Sequence, residues 1–299
     1  MDFGNCPKVS IIITTYKRKK EMVVRAVKSA INQTYLNTEI VVVDDSPSDY
    51  LHREDVRQAI LALGDERIKV IWHDTNRGAC AARNTAIRAS NGEYVIYLDD
   101  DDEFLPEMIE KRLAGFTDSD IGLVYSKRYL CPNGDKSKMY VPEQKMIAGD
   151  IFKYVMQDNI ICAFPMVRRE CFDTCGMFDE EQLSAQDYEM WLRILQKYKA
   201  NYVDEPLAIV YLHDEGRITS TPYKAIQGTE RLCSIYRSYY RKHPYAYHFR
   251  KRDLCMRYMY GGNRKKAFQN FIMAALCGPT DVISNLRLLR MLLTYKPQT

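Results

Sequence analysis

The chain has no CxxC pair, and its nine cysteines, at 6, 80, 131, 162, 171, 175, 233, 255 and 277, are odd in number and scattered. That spacing offers neither a disulfide framework nor a structural zinc site, so reduced and mostly buried thiols are expected. No apolar run approaches the roughly 18 to 20 residues that a membrane-spanning helix needs. The opening MDFGNCPKVS lacks a charged segment followed by an apolar signal core. A cytoplasmic protein is the expectation. Internal repeats and low-complexity tracts are missing as well, which removes the solenoid and disordered classes. What remains, 299 residues with 46% hydrophobic and 27% charged content, is enough for one large folded domain plus an appendage.

One shortage is local. Residues 217–299 hold 16 Lys+Arg against only 3 Asp+Glu, a balance of +13 inside a chain whose net charge is +4. The tail is therefore a basic module on an acidic body.

In the first 100 residues β-branched runs alternate with amphipathic segments, the pattern of βαβ units and a largely parallel sheet. VSIIITTY (9–16), EIVVVDD (39–45), RIKVIWH (67–73) and GEYVIYLDD (92–100) read as buried strands, too short for helices of that apolarity. Helical spacing of Val23, Val27, Ala30 and Ile31 lies between the first two, and NRGACAARNTAIRAS (76–90) is a helix opened by glycine. Further strands are expected at 121–130, 161–169 and 201–214. The segment 184–198 is a helix whose apolar face is Tyr188, Trp191, Leu192, Leu195 and Tyr198. In open α/β sheets ligands bind outside the carboxyl ends of strands, and Thr14–Tyr16, Asp44–Asp45 and Asp99–Asp102 all fall there.

The four adjacent carboxylates of Asp99–Asp102 repel one another, and burying even two together raises a pKa unless a cation intervenes. A divalent ion resolves the conflict. Hard oxygen ligands with no cysteine nearby favour magnesium or manganese over zinc, with substrate phosphates as further ligands. Asp99 and Asp101 are read as metal or ligand residues, whereas for Asp102 and Glu103 a cap on the next helix stands equally open.

VSIIITTYKR, EIVVVDDSPSD, NRGACAARNTAI, YVIYLDDDDEFLP and CGMFDEEQLSAQDYEMWLRI, in this order and spacing, resemble the inverting glycosyltransferases of family two, over roughly residues 7–215. The resemblance implies an α/β fold of GT-A type: a Rossmann-like, mostly parallel mixed sheet flanked by helices, here with a C-terminal basic helical extension. It sets residues 1–216 as the nucleotide-sugar-binding and catalytic domain and 217–299 as a separate basic, Tyr-rich region. It implies that Thr14, Tyr16 and Asp45 hold the nucleotide base, an Asp accepting the N3–H of uracil and a Tyr stacking on the ring. Asp44 is read as an Asx turn. The family's usual glycine after the Asp pair is Ser46-Pro47 here, a departure that bears on the path of the loop and leaves the carboxylate in place. Arg83, one turn into the helix opened by Gly78, is expected to reach the diphosphate, the alternative being a surface salt bridge.

By the same resemblance Asp101 is the direct ligand of Mn²⁺ or Mg²⁺ and Asp99 lies near the ribose. With four Asp in a row, a shift of one residue leaves Asp100 as the alternative. His213 corresponds to the late histidine that completes the metal shell in many relatives, and a structural role for it stands equally open. Asp187 matches the general base that takes the proton from the attacking hydroxyl. Gln186 stands where the family commonly has Glu, Glu189 is read as solvated, and Trp191 as core.

The tail interleaves Arg and Lys with nine Tyr, as in IYRSYYRKHPYAYHFRKR (235–252), and closes with ISNLRLLRMLL (283–293). Such helices are attracted to anionic lipid; a nucleic-acid patch would carry similar charge, but no RNA- or DNA-binding motif accompanies it. An anionic membrane surface, and no nucleic acid, is the expected partner. Leu286, Leu289 and Leu293 form a stripe expected to pack on the catalytic domain. The combined expectation is an enzyme, peripheral at the inner face of the cell membrane, that moves a sugar from a UDP-sugar to a hydroxyl of a lipid-linked glycan in surface polysaccharide assembly. The rivals are a nucleotidyltransferase acting on sugar phosphates, which needs a glycine-rich loop that TTYKRKKE does not supply, and a non-catalytic nucleotide-sugar-binding protein.

Overall fold

The computed structural model describes residues 6–161, 164–212 and 222–295. Val9–Thr15 (β1), Lys20–Ile31 (α1), Thr38–Asp44 (β2), Arg53–Leu61 (α2), Ile68–Trp72 (β3), Ala79–Ala89 (α3) and Tyr94–Asp99 (β4) are the expected βαβ succession. Glu103–Phe104 (β5), Met108–Leu113 (α4), Ile121–Pro132 (β6), Phe152–Gln157 (α5), Met166–Arg168 (β7), Glu170–Cys175 (α6), Gln186–Leu195 (α7) and Lys199–Leu212 (β8) follow. The chain then turns helical, with Pro222–Ile235 (α8), Arg237–Lys242 (α9), Pro244–Tyr260 (α10), Arg264–Cys277 (α11) and Val282–Thr294 (α12).

All eight strands form one sheet in the order β3-β2-β1-β4-β7-β6-β8-β5. The first four are parallel, β7 runs antiparallel to both β4 and β6, β6 and β8 are parallel, and β5 is antiparallel to β8. This is the mixed, mostly parallel α/β sheet that the sequence calls for. Ile11, Ile12 and Ile13 are consecutive and all buried, which requires cover on both faces of β1. At the opposite end of the strands from the carboxylates, Glu39 accepts from Ser10 Oγ at 2.7 Å and from the Asn91 and Gly92 amides at 2.6 and 3.0 Å. These bonds pin the start of β4 to β1 and β2.

The described residues fall into two compact units, one within Met1–Ile151, Ile160–Glu180 and Met190–Asp214, the other within Phe152–Asn159, Glu181–Glu189 and Glu215–Thr299. The second unit has its own core: Leu254, Cys255, Tyr258 and Met259 of α10 pack with Ala267 of α11 and with Leu288 and Leu292 of α12. That corrects the expected packing stripe, because Leu286 and Leu293 are 61 and 71% exposed. Leucines stand at 286, 288, 289, 292 and 293, so helical period fits more than one face, and the pair at 288 and 292 is the one buried. Among the described residues no helix is long and apolar enough to cross a membrane.

Candidate active site

Strand register brings the predicted strand ends side by side. Thr14 lies opposite Val43 of β2 and Asp99 of β4, and Thr15 lies opposite Asp44. Tyr16 follows, 46% exposed, and Lys17 then turns the chain with a left-handed φ of 48°. The Lys17 amide donates to Ser46 Oγ at 2.8 Å. The hydroxyl that replaces the usual glycine thus ties the loop after β2 to the loop after β1, and the loop path is fixed by that bond.

Asp44 and Asp45 do different things. Asp44 Oδ1 accepts from the Ser46 amide at 2.8 Å, the Asx turn expected of it, and burial raises its pKa against those bonds. Asp45 is buried and takes His73 Nδ1 at 2.7 Å and the Arg77 amide at 2.8 Å on Oδ1, and the Gly78 amide at 2.8 Å on Oδ2. A carboxylate offers about four acceptor positions, so roughly one remains open on Asp45. His73 Nε2 lies 3.1 Å from Thr85 Oγ1, which holds the ring in place. Gly78 has a φ of 89° at the mouth of α3, a conformation that a side chain would strain.

The four acidic residues alternate as a strand does. Asp100 and Asp102 turn inward, each 4% exposed, while the Asp99 and Asp101 side chains are 52 and 20% exposed. Cations separate them. The Arg18 fork contacts Asp100 Oδ1 at 2.9 Å and Asp101 Oδ2 at 3.1 Å, and Arg83 reaches Asp99 Oδ1 at 3.6 Å. Arg25 donates to the Asp101 carbonyl, with its guanidinium 3.8 Å from the centre of the Tyr211 ring. Burial, opposed by Arg18, pushes the Asp100 carboxyl up to about 7, and burial also pushes Asp102 well up. Asp102 Oδ1 accepts from the Tyr211 amide at 2.8 Å, and Glu103 bonds the Tyr211 hydroxyl and Lys136. Neither caps the helix that follows, because both are tied to β8 or to the Lys136 turn.

Arg83 is neither wholly buried nor a surface pair: its side chain is 15% exposed and its guanidinium stands 5.4 Å from the centre of the Phe178 ring. Asn84 anchors the same segment, with Nδ2 donating to the Phe178 carbonyl at 2.9 Å. Asp187 belongs to the second unit, in the first turn of α7. It is exposed, and its Oδ1 accepts from the Tyr188 amide at 2.8 Å. Ala185, directly before α7, holds a left-handed φ of 57°, costly for a residue with Cβ. Glu189, read as solvated, is buried; two residues on from an exposed Asp187 is about 200° around a helix, hence the inward side. Trp191 is core as read, 6.2 Å from Tyr97 and 6.3 Å from Phe178 by ring centroids. His213 lies outside the described residues.

Three residues escaped sequence reasoning: Arg18, Arg25 and His73. The cations of TTYKRKKE directly after β1 were a visible signal for Arg18, since four carboxylates need counter-charge and loops at one sheet end share it. His73 closes the β3 run, at the same end of the sheet as Asp44.

The model of the family described as Glycosyl transferase family 2 matches residues 10–176. The colanic acid biosynthesis glycosyl transferase WcaA of Escherichia coli (strain K12), so named, is 33% identical over 246 residues, covering 80% of this chain and 82% of that protein. The Escherichia coli UDP-Glc:alpha-D-GlcNAc-diphosphoundecaprenol beta-1,3-glucosyltransferase WfgD is 28% identical over 63% of this chain and 70% of its own. Among solved structures, Staphylococcus aureus TarS 1-349 in complex with UDP-GlcNAc superposes with a TM-score of 0.61 at 18% identity, over 90% of this chain and 91% of that one. The mannosyltransferase PcManGT from Pyrobaculum calidifontis, in complex with GDP-Man and Mn²⁺, gives 0.60 at 17% identity, over 97 and 81%. At those identities the two structures establish the fold.

Proposed function

The chain belongs to glycosyl transferase family 2, and from that premise we propose that it transfers a sugar, with inversion, from a UDP-sugar to a hydroxyl of a lipid-linked glycan in surface polysaccharide assembly. The observation that carries the reading is the convergence of Thr14, Asp45, Arg83, Asp99 and Asp101 at the carboxyl edge of β1, β2 and β4, within the matched region. WcaA and WfgD, through their names, support the polysaccharide setting and the lipid diphosphate acceptor.

In this reading Tyr16 stacks on the base, Thr14 lines its edge, and the last open acceptor position of Asp45 takes one N–H, as uracil presents. His73 and the two loop amides hold that carboxylate in one orientation. Arg83 turns toward the diphosphate from beside Asp99, aided by the α3 N-terminus. Asp99, exposed beside Arg83, lies near the ribose.

Among the described residues no group of three His, Cys, Asp or Glu side chains is poised around one point. The chain's own donors are then the outward carboxylates Asp101 and Asp99, with His213 as a further ligand by family resemblance. Such a set of hard oxygens suits Mg²⁺ or Mn²⁺, which accepts one or two carboxylates and fills its shell with phosphate and water. When bound, the ion neutralises charge developing on the departing diphosphate. Asp101 must first leave Arg18, whose fork stays with Asp100.

On the acceptor side Asp187 takes the proton from the attacking hydroxyl as the new C–O bond forms and the sugar–phosphate bond breaks, releasing nucleoside diphosphate. Tyr188 N–H holds Oδ1, leaving Oδ2 for the proton. Residues 1–216 carry this chemistry, and 217–299 face the acceptor and the anionic inner face of the membrane. The test is calorimetric titration of UDP and GDP with and without Mn²⁺. UDP binding should require the metal and fall by at least about ten-fold in Asp101→Ala. Metal-independent binding, or unchanged affinity in the variant, would remove Asp101 from the metal shell.

A further inference from the structure

On α11, Phe268, Ile272 and Leu276 recur every four residues, and on α12 Ile283, Leu286 and Leu293 share one side; each of the six is between 43 and 71% exposed. Both helices already have a buried face, through Ala267 and Ala274 on α11 and Leu288 and Leu292 on α12. The exposed side chains are therefore a second apolar face on each helix, left over after the core is made. Leu276 and Ile283 flank the Gly278–Asp281 turn, so both seams end at one hairpin tip. Apolar surface gathered this way marks a binding face.

The charges around it narrow the partner. Residues 217–299 contain three acids, and each is engaged within the unit. Asp253 pairs with Arg257 at 2.8 Å; Asp281 Oδ2 meets His248 Nε2 at 3.0 Å and Arg252 at 3.2 Å; Glu230 accepts from the Tyr258 hydroxyl. Lys265, Arg287 and Arg290 stand on or beside the exposed seams with no acid of the tail left for them. A second copy would bring the same +13 and repel. A nucleic-acid backbone would use the cations and leave the leucines in water.

We propose that α11 and α12 are an interfacial anchor that lies in the plane of an anionic membrane, sinking the six apolar side chains to the acyl boundary and setting Lys265, Arg287 and Arg290 among headgroup phosphates. It rests on the membrane-facing role given above to residues 217–299, and says which surface performs it.

The experiment is flotation of the full-length protein with vesicles of phosphatidylcholine alone or with about a third phosphatidylglycerol, at low and high salt. Wild type should bind the anionic vesicles and keep a fraction of that binding in high salt, since only the ionic part is screened. The triple variant Leu276→Asp, Ile283→Asp, Leu286→Asp should lose at least about 100-fold in partition. Arg287→Gln and Arg290→Gln should lose about five-fold each, at low salt only. All three sites are exposed or lie on the outer side, so circular dichroism and metal-dependent UDP titration should match wild type; if UDP fails to bind wild type, the donor reading falls while flotation still reports on the anchor. Equal flotation of the triple variant, tighter binding of duplex DNA than of anionic vesicles, or a wild-type dimer that the triple variant dissociates without any flotation would each overturn the anchor.

Discussion

In the sheet unit four adjacent carboxylates are kept within one short stretch by Arg18, Arg25 and Arg83, each meeting a defined atom, whereas in residues 217–299 of the helical unit the three acids are engaged in internal contacts and cations such as Lys265, Arg287 and Arg290 face water. Both regions are dense in charge, and the difference lies in whether each charge has a fixed opponent. Charge opposed at fixed positions holds a ligand in one geometry, because removing either partner leaves the other buried and costly. Charge of one sign left uncompensated has no preferred geometry and acts through its field on a fluid or extended partner.

The largest expected effect is at Asp187, an acid that packs with the helical unit and is proposed to take part in the chemistry. Asp187→Asn should leave metal-dependent UDP binding near wild type and lower turnover by about 100-fold or more, as expected for a lost general base. Turnover with a lipid-linked acceptor and calorimetry with UDP give the two readouts. A variant with near-normal rate would return Asp187 to the helical unit as a helix-terminal residue and move the base elsewhere.

A smaller effect tests the rigidity of the sheet unit. A Cβ on Gly92 would come within 2.5 Å of Ser10 Oγ and 2.6 Å of Ser10 N, and backbone cannot yield as a side chain does. Gly92→Ala should cost about 1–3 kcal/mol of stability through overpacking, seen as an earlier thermal or denaturant midpoint. Vesicle flotation of the still-folded protein should be unaffected. Loss of flotation in parallel would mean that the two regions do not act separately.

How much of this was legible in the sequence follows the same division. Strand ends could be found because β-branched runs stop at Thr14, Asp44 and Asp99, and parallel register then obliges those residues to be neighbours. The direction of each carboxylate was not legible. Alternation along Asp99–Asp102 decides which acids face inward, and a strand that ends at Asp99 gives no sequence reason for the alternation to continue. His73 was hidden for a related reason, since its partner Asp45 is distant in sequence and only the sheet joins them. In the helical unit composition revealed the cations, but five leucines in eight residues of α12 left the buried face ambiguous. Glu189 was misread because a carboxylate on a different side of the helix from Asp187 was expected in solvent, while that side faces inward.

The smallest expected effect contrasts two carboxylates, one in each unit, whose pKa values move in opposite directions. Burial raises the pKa of Asp44, so the folded sheet unit holds that proton more tightly than the unfolded chain does. Its contribution to stability is therefore greatest below the unfolded value of about 4 and is lost as pH rises through the folded pKa. Asp281 behaves oppositely. Bonds from Ser284, then His248, with Arg252 nearby, lower its pKa, so its contribution is complete above about 4 and is lost as pH falls through the folded value. Asp100 and Asp102 are raised in the same way, so taking the protein from neutral pH down to about 4 should leave protection in α10–α12 unchanged and slightly increase it in β1, β2 and β4; going lower should weaken α12, as His248 Nε2 and Arg252 lose their carboxylate, and the start of β4, as Glu39 takes up a proton. Hydrogen exchange with peptide-level readout, expressed as protection factors, follows both regions in one sample. Asp44→Asn, which keeps an oxygen for the Ser46 amide, should reduce the first response and leave the second alone, the remainder of the first belonging to Asp100 and Asp102, and Asp281→Asn should flatten the loss in α12 alone. Parallel loss in both regions, with neither variant changing it, would show that acid acts on the molecule through its overall charge and that these fixed pairs do not set its response.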